Sequence, residues 1–156
     1  MRLTYLKPVL KELSQGARIA FVREFRHLTQ DNVAEKIGLT SEARRRTITR
    51  YEKNNRVPTE DRLEELAKIV NVNINAIRQY DFRSPIDFIY MLMWIEEIYP
   101  NFRIDLPITY YTDSSFVIDR FMKEWEEMRV KRKNRKISYE AYIEWKLNYE
   151  VKGDKK

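Results

Sequence analysis

The chain of 156 residues contains no cysteine, a single histidine and only three glycines. Without cysteine it has no disulfide framework, no thiolate zinc site and no cysteine nucleophile. His27 is the one imidazole, so the side chain that enzymes use most often as a general base is almost absent. Three glycines and five prolines are too few for the tight turns of a β-meander, which predicts a mainly α-helical chain.

Long hydrophobic runs are also missing. The most apolar stretch, residues 86–98, is broken by Asp87, Glu96 and Glu97, and it is too short and too charged to cross a bilayer. The first residues contain no apolar core of a signal peptide. We therefore expect a cytoplasmic protein with no membrane contact, no metal and no cofactor.

The positive charge is confined to the first half of the chain. Residues 1–83 contain 17 lysines and arginines and 11 acidic residues, whereas residues 84–156 contain 13 of each, so the first half carries the whole net charge of +6. A basic segment beside a neutral one indicates that the first contacts a polyanion and that the second has another task.

The spacing of apolar residues predicts five helices in the first half, of which the last is short. They are expected over residues 16–27, 30–37, 44–52, 59–70 and 72–80. Thr29 and Thr59 are placed as N-caps, and Gly38 as the residue that ends the second helix in a left-handed conformation. Residues 1–15 form a lead-in segment, either a short helix or an arm, because Pro8 interrupts their apolar spacing.

Ser84 and Pro85 mark a domain boundary, so the chain is expected to divide into residues 16–83 and residues 84–150. The remaining residues, 151–156, form a polar tail that we expect to be disordered.

The second domain is predicted to be small and helical. Its first helix, residues 86–99, is apolar nearly all round and needs cover on more than one side. Apolar and polar residues alternate over residues 102–108, which predicts one short β-strand or hairpin at an edge, since Pro107 lies within it. A helix starting near Asp113 and another after Ser138 complete the expected fold.

Nine consecutive residues of the first half, RRRTITRYE from Arg44 to Glu52, carry four arginines and two threonines on one predicted helix. Ile48 and Tyr51 lie three residues apart and are expected to face the core, which turns the arginines outward. The planar guanidinium group matches O6 and N7 of guanine, and a good bidentate pair discriminates between bases by about 1–3 kcal/mol. A single arginine of this kind is usually solvated, but four on one helix predict contact with DNA.

Six short motifs follow one another along the first half: LTQ from Leu28, VAEKIG from Val33, ITRYE from Ile48, RVP from Arg56, LA from Leu66 and VNV from Val70. In this order they resemble the XRE or Cro-like family of helix-turn-helix regulators, to which phage repressors belong. The resemblance covers roughly residues 16–80. It implies a compact five-helix, repressor-like domain whose third helix enters the major groove of double-stranded DNA.

The resemblance also assigns roles to individual residues. The candidates for contact with base edges lie on the third helix and are Arg45, Arg46, Thr49 and Arg50. Residues expected near the DNA backbone or on its phosphates are Arg44, Thr47, Asn54, Asn55 and Arg56. Gln30 is expected to contact a phosphate through its amide and to orient the first residue of the third helix.

In the same family, an arginine seven residues before this glutamine pairs with the glutamate that ends the third helix. Here these residues are Arg23 and Glu52, and we expect a partly buried bidentate bridge between the first and third helices. The pair is interpreted as structural and not as part of the site.

Two departures from the family pattern affect the site. His27 stands where the family usually has glycine, so we expect the first helix to end differently. Extra residues, 40–43, precede the third helix and either lengthen the turn or add a turn to the front of the helix. This longer form, with the motifs ISYE from Ile137 and EWK from Glu144, is similar to a group of regulators from Gram-positive bacteria and their mobile elements.

Together these features predict a sequence-specific transcriptional regulator, a homodimeric repressor that reads an inverted repeat and is associated with the nucleoid. The second domain is the expected dimerisation device. Its apolar helix is interpreted as core or dimer interface, and not as a ligand pocket, because no polar groups converge beside it. The alternative function is an inhibitor that binds another protein through this domain, like an antitoxin or an anti-CRISPR protein, and uses the first domain for autoregulation.

The remaining charged residues suggest no further site. The basic run over residues 131–136 is expected to be solvated, with nucleic-acid contact as the alternative, because the acidic residues just before it cancel much of its field. Five carboxylates in the second half show no shared spacing and no metal-ligand company, so we expect no enzyme; they are Asp87, Glu96, Glu97, Asp105 and Asp113.

Overall fold

The structure, a computed structural model, describes residues 7–40, 43–104 and 115–152. These residues form seven α-helices, and no β-strand occurs among them. The chain divides into two compact units, the first ending at Gln79 and the second beginning at Tyr80. The expected mainly α fold is confirmed.

The first unit contains α1 (Gln15–Phe25), α2 (Gln30–Lys36), α3 (Arg44–Glu52) and α4 (Glu60–Ile69). The second contains α5 (Pro85–Ile98), α6 (Ser115–Lys133) and α7 (Tyr139–Leu147). Five of these helices start where a serine or threonine side chain accepts a hydrogen bond from a free backbone N–H group. These N-caps are Ser14, Thr29, Thr59, Ser84 and Ser138.

In the first unit, the second residue after each helix has a positive φ, and these residues are His27 (56°), Gly38 (75°), Asn54 (58°) and Asn71 (51°). At the end of α1 the N–H groups of His27 and Leu28 donate to carbonyl oxygens of the last turn at 2.9 and 3.1 Å. Glycine is the residue that most often supports this pattern. The expectation that α1 ends differently is therefore wrong, because His27 adopts the left-handed conformation itself, at a cost of about 1 kcal/mol relative to glycine.

The fifth helix expected in the first unit is shorter than predicted. Only a 3₁₀ turn, Ile74–Ala76, forms there, and the side chain of Asn73 caps it. Arg18 of α1 donates to the carbonyl oxygens of Ala76 and Arg78 at 2.9 and 2.8 Å. The side chain of Arg18 thus satisfies carbonyl oxygens at and beyond the end of this turn, which a longer helix would have paired internally.

Several predicted segments fall partly outside the described residues. The lead-in segment is described from Lys7 and contains no helix before α1. Of the predicted strand, residues 102–104 have no regular structure, and residues 105–108 lie outside the described part. The predicted disordered tail is described only as far as Lys152. In the described ranges, no helix combines the length and the apolar character needed to cross a membrane.

Aromatic side chains form much of the core of the second unit. Phe121 and Trp125 of α6 are buried and stacked, with 5.2 Å between ring centroids, and Phe121 meets Tyr149 edge-on at 5.4 Å. Ile89 of α5 and Ile143 of α7 are buried as well. The apolar residues of α5 are thus covered on more than one side, as its composition requires.

A buried network of charges joins the three helices of the second unit, and the expectation that no polar groups converge beside α5 is wrong. The carboxylate of Glu96 accepts from the Tyr142 hydroxyl at 2.7 Å and lies 2.5 Å from Lys146 Nζ and 3.1 Å from Arg129 Nε. Lys146 also donates to Glu97 at 2.5 Å. Burial and the charge of Glu96 raise the pKa of Tyr142 above its ordinary value. Two of the carboxylates considered for catalysis are therefore engaged in structural ion pairs.

Candidate nucleic-acid interface

α3 presents its arginines away from the core. Ile48 and Tyr51 are 0% and 5% exposed and fix which side of the helix faces inward. At 100° per residue, Arg46 lies nearly opposite this side. The polar residues form an exposed group, Arg45, Arg46 and Arg50, and a half-buried group, Arg44, Thr47 and Thr49.

α3 begins at Arg44, and this start bears on the role of the extra residues 40–43. Ala43 is the N-cap, and its carbonyl oxygen accepts from the N–H of Thr47 at 3.3 Å. Thr40 lies in no helix, and residues 41–42 lie outside the described part. Of the extra residues, Thr40 and Ala43 therefore do not extend the helix, and all four arginines lie on α3.

The first turn of α3 has an unusual distribution of charge. Arg44, Arg45 and Arg46 occupy the end of the helix where the dipole is positive, and no side chain of a described residue caps it. Each cation placed there costs roughly 0.3–1 kcal/mol, since acidic residues are preferred at this end. Asp31 offers only a partial counter-charge, with 3.8 Å between its Oδ1 and Arg44 Nε. The arrangement favours an external anion in front of the helix.

Gln30, the first residue of α2, connects α2 to two side chains of α3. Its side-chain oxygen, Oε1, accepts from the Thr49 hydroxyl at 3.0 Å and from Arg45 Nε at 3.3 Å. Its amide nitrogen donates to Oε2 of Glu52 at 2.7 Å. Because both the oxygen and the nitrogen of this amide are hydrogen-bonded within the unit, Gln30 positions Arg45 and Thr49 before any ligand binds. In the first turn of α3, Gln30 thus contacts the second residue, Arg45, and not the first, Arg44.

Arg23 of α1 and Glu52 form the expected bidentate bridge. Arg23 Nε and Nη2 donate to the two carboxylate oxygens at 2.5 and 3.1 Å, and the two side chains are 12% and 7% exposed. Burial lowers the pKa of Arg23, but the hydrogen bonds and charge of Glu52 outweigh it and hold that pKa above its ordinary value. The bridge fixes α1 against the end of α3 and, through Gln30, supports the side chain of Arg45.

Two sets of arginines in the first unit differ in their contacts. Arg26 donates to two carbonyl oxygens at the end of α4, both at 2.7 Å, and Arg62 donates to the carbonyl oxygen of Ile37 at the end of α2 at 2.8 Å. Like Arg18 and Arg23, they satisfy acceptors inside the unit. No described residue offers an ion pair or a side-chain hydrogen bond to the second set, which is Arg46, Arg50 and Arg56.

Asn54 has a structural contact that the sequence did not reveal. Its side-chain oxygen accepts from the N–H of Gly16 at 2.8 Å, and its amide donates to Ser14 at 2.9 Å. A Cβ on Gly16 would lie 2.3 Å from the carbonyl oxygen of Tyr51, so the start of α1 touches the end of α3. No local pattern could predict this contact across 38 residues. The two neighbouring candidates are exposed, namely Asn55 and Arg56.

An exposed basic helix held by two others is the arrangement found in helix-turn-helix proteins. Residues 16–79 match the family model of a helix-turn-helix domain. The match runs over 64 of the 156 residues, from Gly16 to Gln79, and includes α2, α3 and α4 and nearly all of α1. Searches of curated proteins and of solved structures gave no match to this chain.

The match supports DNA binding as the function of the first unit and, with it, a role in regulating transcription. It is consistent with the XRE-like resemblance of the sequence motifs. Helix-turn-helix domains are typically not enzymes.

Proposed function

We propose that this protein is a sequence-specific regulator of transcription that inserts α3 into the major groove of double-stranded DNA. The observation that carries the proposal is the exposed face of α3, where Arg45, Arg46 and Arg50 lie away from a core fixed by Ile48 and Tyr51. An α-helix fits the width of the major groove, and arginine is the side chain that most often reads guanine there.

The base contacts are proposed to be of two kinds. Arg45 and Thr49 are held by Gln30 and would meet bases with little loss of side-chain freedom. Arg46 and Arg50, which lack partners among the described residues, would become ordered on binding. Rigid contacts give the complex its register, while the adaptable arginines add discrimination between bases.

The phosphate contacts are proposed for residues that flank the exposed face of α3, and these are Gln30, Arg44, Thr47, Asn54, Asn55 and Arg56. For Asn54 the DNA contact would add to its hydrogen bonds with Gly16 and Ser14. Such contacts orient the helix on the duplex without reading its sequence.

We further propose that the protein acts as a homodimeric repressor on an inverted repeat. One recognition helix reads only a few base pairs, and two-fold pairing places two of them about 34 Å apart, one turn of the duplex. Support comes from an apolar stripe on α5 that remains half-buried within its unit. This stripe has helical spacing and consists of Phe88, Met91, Ile95 and Ile98.

Selection of binding sites from random DNA with the full chain, followed by gel shifts, tests the DNA contacts. Arg46→Ala and Arg50→Ala are each expected to weaken binding to the selected site by roughly 5- to 150-fold, because each removes about 1–3 kcal/mol of base contact. Lys68→Ala removes an exposed charge from α4 and serves as the control, with a change of less than about threefold. If both arginine variants bind the selected site as tightly as the wild type, α3 is not the recognition helix.

Light scattering during gel filtration tests the dimer. The full chain is expected to elute with twice the 19.1 kDa mass of one protomer. Met91→Glu is expected to give monomers, because a dimer would have to bury its unpaired charge. Lys123→Glu, at an exposed position of α6, should leave the mass unchanged. A monomeric wild-type protein at micromolar concentration would refute this part of the proposal.

A further inference from the structure

A groove of about 260 Å³ lies between the chain that follows α5 and the last turns of α6. Pro100 and Val130 supply its apolar wall, and the buried side chains of Glu96 and Tyr142 lie at its floor. Its charged lining has an excess of cations, with Arg103, Arg129, Arg132 and Lys133 against Glu96 and Glu126.

The floor of the groove is a fixed network in which charges are already matched. Arg129, only 10% exposed, places Nε 3.1 Å from Glu96 and donates through Nη2 to the carbonyl oxygen of Phe102 at 2.8 Å. Its guanidinium carbon lies 5.1 Å from the centroid of the Trp125 ring. Glu96 also pairs with Lys146 at 2.5 Å. The charged side chains of the floor therefore neutralise one another and do not require a bound ligand.

The rim, unlike the floor, has unmatched positive charge. Arg103, Arg132 and Lys133 pair with no carboxylate in the described ranges. Cations in the last turn of a helix complement its dipole, which accounts for Arg132 and Lys133 without a ligand. It does not account for Arg103, which follows α5 and reaches the same groove from another element.

We propose that this groove binds a small organic anion. A carboxylate or phosphate group would accept charge-assisted hydrogen bonds from Arg103, Arg132 and Lys133, and its apolar part would lie against Pro100 and Val130. A compact anion fits better than nucleic acid, because the groove is concave and small. The site is independent of the DNA contacts proposed for α3.

Calorimetric titration of the full chain tests the site with two probes, inorganic phosphate and citrate, at an ionic strength held constant with sodium chloride. At least one probe is expected to bind saturably with one site per chain, and the probe that binds tells whether phosphate or carboxylate is preferred. Exchanging Arg103→Gln and Lys133→Gln together should weaken that binding about tenfold or more. The control exchanges Lys123→Gln and Lys136→Gln, which change the charge equally outside the groove lining, should leave it unchanged.

The proposal is overturned if neither probe binds saturably, or if both double variants lose binding equally, since the second result indicates an adventitious ion only. It is also overturned if no probe binds while the Arg103 and Lys133 exchanges lower the salt dependence of DNA binding by about 0.9 per charge, which would make the rim part of a nucleic-acid surface. Circular dichroism verifies folding, and Arg103→Gln alone serves the same test should the double variant not fold.

Discussion

Glu52 is the residue on which the DNA-facing side chains depend. Its carboxylate accepts from Arg23 and from Gln30, and Gln30 in turn accepts from Arg45. A carboxylate accepts several hydrogen bonds at once, whereas an amide in the same place turns one of its two ends into a donor. One buried side chain therefore links the stability of the first unit to the geometry of the proposed interface.

Replacing Glu52→Gln is expected to lower the free energy of unfolding by about 2–4 kcal/mol, because it leaves the largely buried charge of Arg23 without its partner. Thermal or urea unfolding measures the loss. Affinity for the selected DNA, measured well below the melting temperature, should fall by a smaller free energy. Glu64→Gln, at an exposed position of α4, is the control and should change stability little. An unchanged melting temperature in Glu52→Gln would show that the bridge contributes nothing.

At the scale of secondary-structure elements, α3 is positioned by contacts at its C-terminal end as well as by its buried side chains. The backbone at the end of α3 lies against the start of α1, at a distance that only glycine allows at position 16. Asn54, just beyond α3, closes the same contact by accepting from the N–H of Gly16. The direction in which α3 points is thus tied to α1 at one end, and to α2 through Gln30 on its side.

Gly16→Ala is expected to destabilise the first unit by about 1–3 kcal/mol, although alanine is the better helix former. The added Cβ would lie 2.3 and 2.6 Å from the backbone oxygens of Tyr51 and Glu52, so the two helices must separate. Gly38→Ala provides the comparison, since it has open space and only its φ of 75° is unfavourable, which costs about 1 kcal/mol. Denaturant unfolding should rank Gly16→Ala as the more harmful change, and a stabilised Gly16→Ala would contradict the close contact.

The whole molecule combines two units with different composition. The first carries the positive charge and, among its described residues, has no tryptophan, while the second contains Trp94, Trp125 and Trp145. The second unit has its own aromatic core and its own buried charge network. Tryptophan fluorescence therefore reports on the second unit alone.

Alkaline pH is expected to destabilise the second unit. Burial, followed by the charge of neighbouring glutamates, raises the pKa of Tyr139, Tyr142 and Tyr149 above the ordinary value. Because the folded state keeps these protons longer than the unfolded state, their contribution is present below about pH 10 and is lost as the pH rises further. Each tyrosine adds at most about 1.4 kcal/mol per pH unit to this loss.

Urea unfolding followed by tryptophan fluorescence, between about pH 9 and pH 11, measures this loss of stability. Tyr142→Phe removes one of the three ionising groups, so its free energy of unfolding should decline less steeply with pH than that of the wild type. A free energy of unfolding that stays constant across this pH range would contradict the raised pKa values of the three tyrosines.

The sequence by itself determined the helical class, the order of the helices and the identity of the exposed basic helix. These features depend on neighbouring residues: the spacing of Ile48 and Tyr51 places the core side of α3, and a threonine or serine before an apolar pattern marks a helix start. The motifs of the resemblance also supplied the pairing of Arg23 with Glu52, which composition and spacing do not contain.

Tertiary structure alone decided how short the fifth helix is and which residues Gln30 and Asn54 hold. Each depends on hydrogen bonds between distant residues, such as Arg18 with Ala76 or Asn54 with Gly16. Likewise, Glu96 and Lys146 are separated by 50 positions and meet only when α5 and α7 pack together. Local propensity cannot predict such contacts, because a side chain has the same sequence neighbours whether or not its distant partner is present.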